Sequence, residues 1–225
     1  MDETMIDGYP YIPYNRAQYS ATEMIERSAS YFNSLDSRRT VREFSSDNFD
    51  ISIIENIIKT ASTAPSGAHK QPWTFCVITD PTLKRCIREA AEKEEKESYD
   101  GRMSDEWLND LKPLGTDWQK PFLEIAPYLI VVFKRIYEIE ENGHKHQNYY
   151  VSESVGIACG FLLASIHNAG LVALTHTPSP MNFLSKLLQR PENERPFLLV
   201  LVGKPVDTFI PKLDRKKLAE ILVVY

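Results

Sequence analysis

The sequence carries none of the common signatures of nucleotide chemistry. No GxGxxG follows a predicted strand and no Walker-type loop occurs, which leaves the usual Rossmann and P-loop sites without support. There is no GxSxG elbow to suggest a serine hydrolase. Cysteine is scarce, and Cys76, Cys86 and Cys159 show no CxxC spacing. Cys76 and Cys159 sit in apolar runs and read as small core residues of a reduced compartment. His144 and His146 form a lone HxH in a polar loop without a further ligand set, so no metal is expected. No stretch approaches the roughly 20 apolar residues that span a bilayer. The N-terminal MDETMIDGYPYIPYN also lacks the basic-then-apolar order of a secretory signal. A soluble, cytoplasmic protein is the expectation. Positive charge is in short supply too, with 26 Lys and Arg against 31 Asp and Glu and a net charge of -5. That balance argues against a nucleic-acid partner.

What is present is an ordinary globular composition, 43% hydrophobic and 25% charged, in 225 residues. One large domain with an arm fits that length. The Tyr- and Pro-rich residues 1–21 read as an extended N-terminal arm, and 22–225 as a single domain. Helical periodicity marks 22–35, 52–62, 82–99, 150–169 and a short 182–188. Ser52 and Glu55 fit a capping box for the second of these. Gly156 and Gly160 share one face of the long helix, where another backbone could pack closely. Strand-like runs lie at 73–79, 128–134, 171–177 and 197–203. Their interleaving predicts an α+β fold with a sheet covered by helices. Residues 95–120 are polar with isolated Trp107, Leu111 and Trp118, and read as a surface excursion or lid. The chain ends in the apolar, β-prone ILVVY, a candidate for strand pairing with a partner.

Four segments stand out chemically. SRRTVREF (37–44) places Arg38, Arg39 and Arg42 around Thr40; guanidinium forks match phosphate oxygens, although a solvated basic turn fits equally well. Pro65, Ser66, Gly67 and Ala68 form a loop of little side-chain bulk that a ligand could approach closely. Thr175, His176 and Thr177 end a predicted strand, with the two threonines on one side. Glu95 and Tyr99 lie four apart on a helix, with Lys120 further on; so charged a helix is most simply a solvated face.

Taken in order, SRRTVREF, IIENIIKTASTAPSGAHKQPW and a C-terminal arginine resemble the nitroreductase superfamily of FMN-dependent oxidoreductases. EEKESYDGRM, DWQK and IACGFLLASIHNAGLVALTHTP narrow the resemblance to its halotyrosine-dehalogenating branch, over residues 35–225. The resemblance implies a three-layer α/β/α sandwich with a mixed, mostly antiparallel sheet. It also implies an interlocked homodimer that exchanges C-terminal strands, with FMN at the interface. FMN would meet Arg38, Arg39, Thr40, Arg42, Pro65, Ser66, Gly67, Thr175, His176, Thr177 and Arg215. His176 stands where the family often has threonine. A halotyrosine such as 3-iodotyrosine would meet Ala68, Glu95, Tyr99 and Lys120. Catalytic roles would fall on the Thr177 hydroxyl, near flavin N5, and on the Ala68 amide, at the phenolate. Electrons would come from NAD(P)H directly or through a reductase. The alternative is a general nitroreductase or flavin reductase for nitroaromatics or quinones, which would not need the zwitterion clamp of Glu95, Tyr99 and Lys120.

Overall fold

The computed structural model describes residues 3–225. One compact unit ends at Arg38 and a second runs Arg39–Tyr225. The division falls after the first helix, where the sequence places a boundary at 21/22, before it. In the first unit the expected extended arm contains a hairpin, β1 (Thr4–Ile6) and β2 (Tyr9–Tyr11), paired antiparallel. Asp7 and Gly8 both take positive φ, the conformation that an Asp-Gly hairpin turn requires. Helix α1 (Ala21–Ser37) follows, opened by a reciprocal capping box between Ser20 and Glu23.

The second unit begins its helices with α2 (Ile51–Ser62). Its cap is Asp50, whose carboxylate accepts the Ser52 N–H at 2.8 Å, and not the expected Ser52 with Glu55. Ser52 lies inside the helix because Asp50, an equally good cap, stops the extended chain first. Next come β3 (Trp73–Ile78), α3 (Pro81–Glu97) with Pro at its first turn, and a π-helical turn Ser98–Arg102. The excursion carries α4 (Asp105–Leu111) before α5 (Phe122–Ile125) and β4 (Tyr128–Arg135). The expected polar loop around His144 and His146 forms a hairpin, β5 (Tyr137–Ile139) with β6 (Lys145–Gln147). The remaining elements are α6 (Val151–Asn168), β7 (Val172–His176), α7 (Asn182–Leu187) and β8 (Glu194–Gly203).

The main sheet runs β3-β4-β8-β7, antiparallel throughout, with one parallel bridge from Thr40 to Ala173 beside it. Side chains of a strand alternate between faces, and the core divides accordingly. Ile130, Val132, Val200 and Val202 join Ile54, Ile57, Val155 and Leu162 of α2 and α6. Leu129, Val131, Phe133, Leu199 and Leu201 join Ile87, Leu123 and Leu184 of α3, α5 and α7. Both faces of the sheet are therefore covered, which makes the three layers.

Some apolar surface remains uncovered in the single chain. Gly156, Ile157, Gly160 and Phe161 share an exposed face of α6, and no atom of the described residues outside the helix lies within 4 Å of where a Cβ at either glycine would be. Ile221 to Tyr225 form no strand and are exposed. Among the described residues, no helix is long and apolar enough to cross a membrane.

Candidate active site

A cleft of about 240 Å³ opens between the C-terminal end of α3, the excursion, Phe122 and the end of β7. Its charged and polar walls include Arg42, Glu95, Tyr99, Lys120 and Thr175–Thr177. Residues as distant in sequence as Arg42 and Thr175 meet because the segment before Arg42 docks on β7. Thr40 bridges Ala173, and the Val41 N–H donates to the Ala173 carbonyl at 3.2 Å. A second hollow of about 420 Å³ shares Arg42 and lies among Thr40, Glu43, Lys112–Gly115 and Thr208–Pro211.

Glu95 and Tyr99 share the cleft face because α3 runs straight on into the π-helical turn. Lys120 precedes α5 and is 3% exposed. Its Nζ lies 3.5 Å from Glu95 Oε2, donates to Thr116 Oγ1 at 3.2 Å and to the Asp117 carbonyl, and sits 5.7 Å over the Tyr99 ring. Tyr99 donates its hydroxyl to the Thr116 carbonyl at 3.2 Å. Burial pushes the Glu95 carboxyl up and the Lys120 ammonium down, each opposed by the charge of the other. Burial and the Glu95 charge raise the Tyr99 phenol.

Arg42 is half-buried, which lowers its pKa, and no carboxylate pairs with it among the described residues. His176 is buried, and its Nε2 has no hydrogen-bond partner among the described residues. Burial, then Lys120 and Arg42, push its pKa down to about 3, so the ring is neutral. Thr175 and Thr177 are exposed on the cleft.

The Pro65–Ala68 loop lies elsewhere. It leaves α2 and packs against the start of α6, on the opposite face of the sheet from the Phe122 and Leu174 side of the cleft. The Gly67 N–H donates to Ser154 Oγ at 3.3 Å, and a Cβ at Gly67 would stand 2.9 Å from the Tyr149 carbonyl oxygen. Only glycine fits that approach. Ser66 Oγ accepts the Gln71 N–H at 2.9 Å, and Ala68 is exposed with φ 48°. Of the residues singled out in the sequence, one chain thus gathers Arg42, Glu95, Tyr99, Lys120, Thr175, His176 and Thr177. Arg38 belongs to the first unit, while Arg39 and Arg215 are exposed and off the cleft.

The structure adds walls that sequence reasoning missed as such. Ser98 follows Glu95 by three on the same helical face, and Trp107 and Leu111 are an i,i+4 pair on α4. That spacing was the available signal. Met103, Phe122 and Leu174 gave none, since nothing separates them from core residues by type.

Residues 35–204 match the model of the nitroreductase family. The chain is 66% identical over 216 residues to iodotyrosine deiodinase of Haliscomenobacter hydrossis, covering 96% of this chain and 97% of that one. It is 46% identical to iodotyrosine deiodinase of Danio rerio, over 100% of this chain and 77% of the relative. With Homo sapiens iodotyrosine deiodinase 1 the identity is 44%, over 96% and 76%. A crystal structure of oxidized iodotyrosine deiodinase bound to FMN and 3-iodo-L-tyrosine superposes with TM-score 0.75 at 32% identity, covering 87% of this chain and 98% of that one. The three-layer frame thus agrees with these matches: the chain belongs to the nitroreductase family, and its full-length likeness is to the members named iodotyrosine deiodinase.

Proposed function

We propose that this chain is an FMN-dependent oxidoreductase that reductively dehalogenates halotyrosines, with 3-iodotyrosine the first substrate to test. The overall change consumes two electrons and one proton, and releases tyrosine and halide. The observation that carries the reading is the buried Glu95–Lys120 pair, 3.5 Å apart in a cleft that also presents the rings of Tyr99, Trp107 and Phe122 and the hydroxyls of Thr175 and Thr177. A free amino acid brings an ammonium for Glu95 and a carboxylate for Lys120, turning one pair into four alternating charges. Such a clamp is worth most where water is excluded. Tyr99 adds its hydroxyl at the same end, and the flat ring is left to lie toward Thr175–Thr177.

The donor set suits FMN. Arg42, half-buried and without a carboxylate, offers a guanidinium for an anion, and Thr40, Thr175 and Thr177 offer hydroxyls beside it. Arg38, Arg39 and Arg215 are assigned to the phosphate with Arg42, and Thr177 to N5 of the ring. When bound, FMN supplies the electrons that break the carbon–halogen bond. The chain's own part is to bind the zwitterion, orient the ring, and hold the phenolate oxygen on a backbone N–H, that of Ala68. In one chain Ala68 stands on the wrong face of the sheet for that task. We assign it to the site of a second copy, a reading supported by the uncovered α6 face and the exposed C-terminal run. Reducing equivalents are assigned to NAD(P)H or a separate reductase.

The test is anaerobic reduction of the FMN-loaded protein with dithionite, followed by 3-iodotyrosine. Flavin reoxidation with stoichiometric iodide and tyrosine is the expected result. Reoxidation by nitroaromatics without iodide release from 3-iodotyrosine would replace this reading with that of a general nitroreductase.

A further inference from the structure

We infer that Glu92 is a positioning residue for the cleft, which fixes the main chain at Lys120 and thereby aims the ammonium at Glu95. The inference rests on Glu95 and Lys120 forming the zwitterion clamp. Glu92 lies one turn before Glu95 on α3 and does not line the cleft. Its Oε1 accepts the Lys120 backbone N–H at 2.7 Å and Arg88 Nε, also at 2.7 Å. Arg88 in turn donates to Glu124 Oε1 at 3.2 Å, on the first turn after Lys120. A carboxylate acceptor makes the Lys120 bond a short, charge-assisted one. It also places negative charge at the start of α5, where backbone N–H groups lack helical partners.

Phe122 and Leu123 are anchored by the core without help, at 7% and 0% exposure. The residues before them are not: Asp117 and Gln119 are exposed, and the excursion returns to the domain at Lys120. Glu92 is therefore the clasp at that point of return. Arg88 pairs with the Glu92 carboxylate, while Glu95 Oε2 lies within ion-pair distance of the Lys120 ammonium. Both clamp residues are then set from one helix, Glu95 directly and Lys120 through Glu92.

The experiment uses the FMN-loaded full chain. Affinities for 3-iodotyrosine and for 2-iodophenol, which lacks the amino-acid end, are read from flavin fluorescence. Exchange of the Lys120 amide is followed in parallel by hydrogen-exchange NMR. Glu92→Ala should speed that exchange and weaken 3-iodotyrosine about tenfold or more, with 2-iodophenol within about twofold. Glu92→Gln, which keeps an acceptor, should stay within about threefold on both ligands. Where the alanine variant does not fold, Glu92→Asp draws the acceptor back by one methylene and carries the same expectation. Equal weakening of both ligands, no weakening, or a glutamine variant as impaired as alanine would overturn the inference. Equal affinity of the unaltered chain for the two ligands would remove the clamp itself and this role with it, even where exchange data retain the Glu92 hydrogen bond.

Discussion

Glu194, at the start of β8, and Glu95, at the end of α3, are both buried carboxylates, but their bonding differs. Glu194 is 1% exposed and fully engaged: Arg190 donates at 2.7 and 3.0 Å, and Thr74 Oγ1 at 2.7 Å. Burial opposes its charge, yet those bonds hold its pKa below the ordinary carboxylate value. Among the described residues Glu95 is met by Lys120 alone, at 3.5 Å, and there burial prevails and the pKa rises. A buried charge with all its bonds made is a fixture of the fold. One with capacity left over is held ready for a group that arrives.

Substitution can break this contrast. Glu194→Gln gives up the charge-assisted bonds from Arg190 and Thr74 and should cost about 3 kcal/mol of unfolding free energy, measured by urea denaturation. The ratio of 3-iodotyrosine to 2-iodophenol affinity should not change. A loss under about 1 kcal/mol would make Glu194 no more structural than Glu95. Glu95→Gln should do the reverse, with stability within about 1 kcal/mol but 3-iodotyrosine binding weakened roughly 10- to 100-fold, the worth of a charged hydrogen bond. The two ligands losing affinity alike would dissolve the contrast from the other side.

The smallest expected effect comes from a third buried group, His176. Its folded pKa of about 3 lies below the ordinary 6.5, so its contribution to stability is present above pH 6.5 and is lost as pH falls toward 3. His176→Thr should flatten that limb by about 1 kcal/mol between pH 6.5 and about 5.5, read as the pH dependence of Tm. Parallel curves for the two proteins would show that the ring does not resist protonation.

The frame was legible because its signals are local. YLIVVF reads as a central strand, and alternation along it assigns both core faces. Glu95 and Tyr99 were legible as a helical pair for the same reason. Lys120 joins them across a 25-residue interval whose path no periodicity describes. The Asp7-Gly8 turn shows a different failure, since the Tyr and Pro around it drew the reading toward an extended arm. Glu92 was hidden among its neighbours: in EAAEKEEKE nothing in the string separates a clasp from a solvated charge.

The separation of the Pro65–Ala68 loop from the cleft by the thickness of the sheet has a consequence for inheritance. If each site draws its loop from one copy and its cleft from the other, damage to the two halves assorts independently. Suppose one allele is ruined at Gly67 and another at Glu95. A mixed pair of their products would concentrate both lesions in one site and leave its twin whole. Two inactive alleles would then restore activity in a cell that carries both, which neither can do alone.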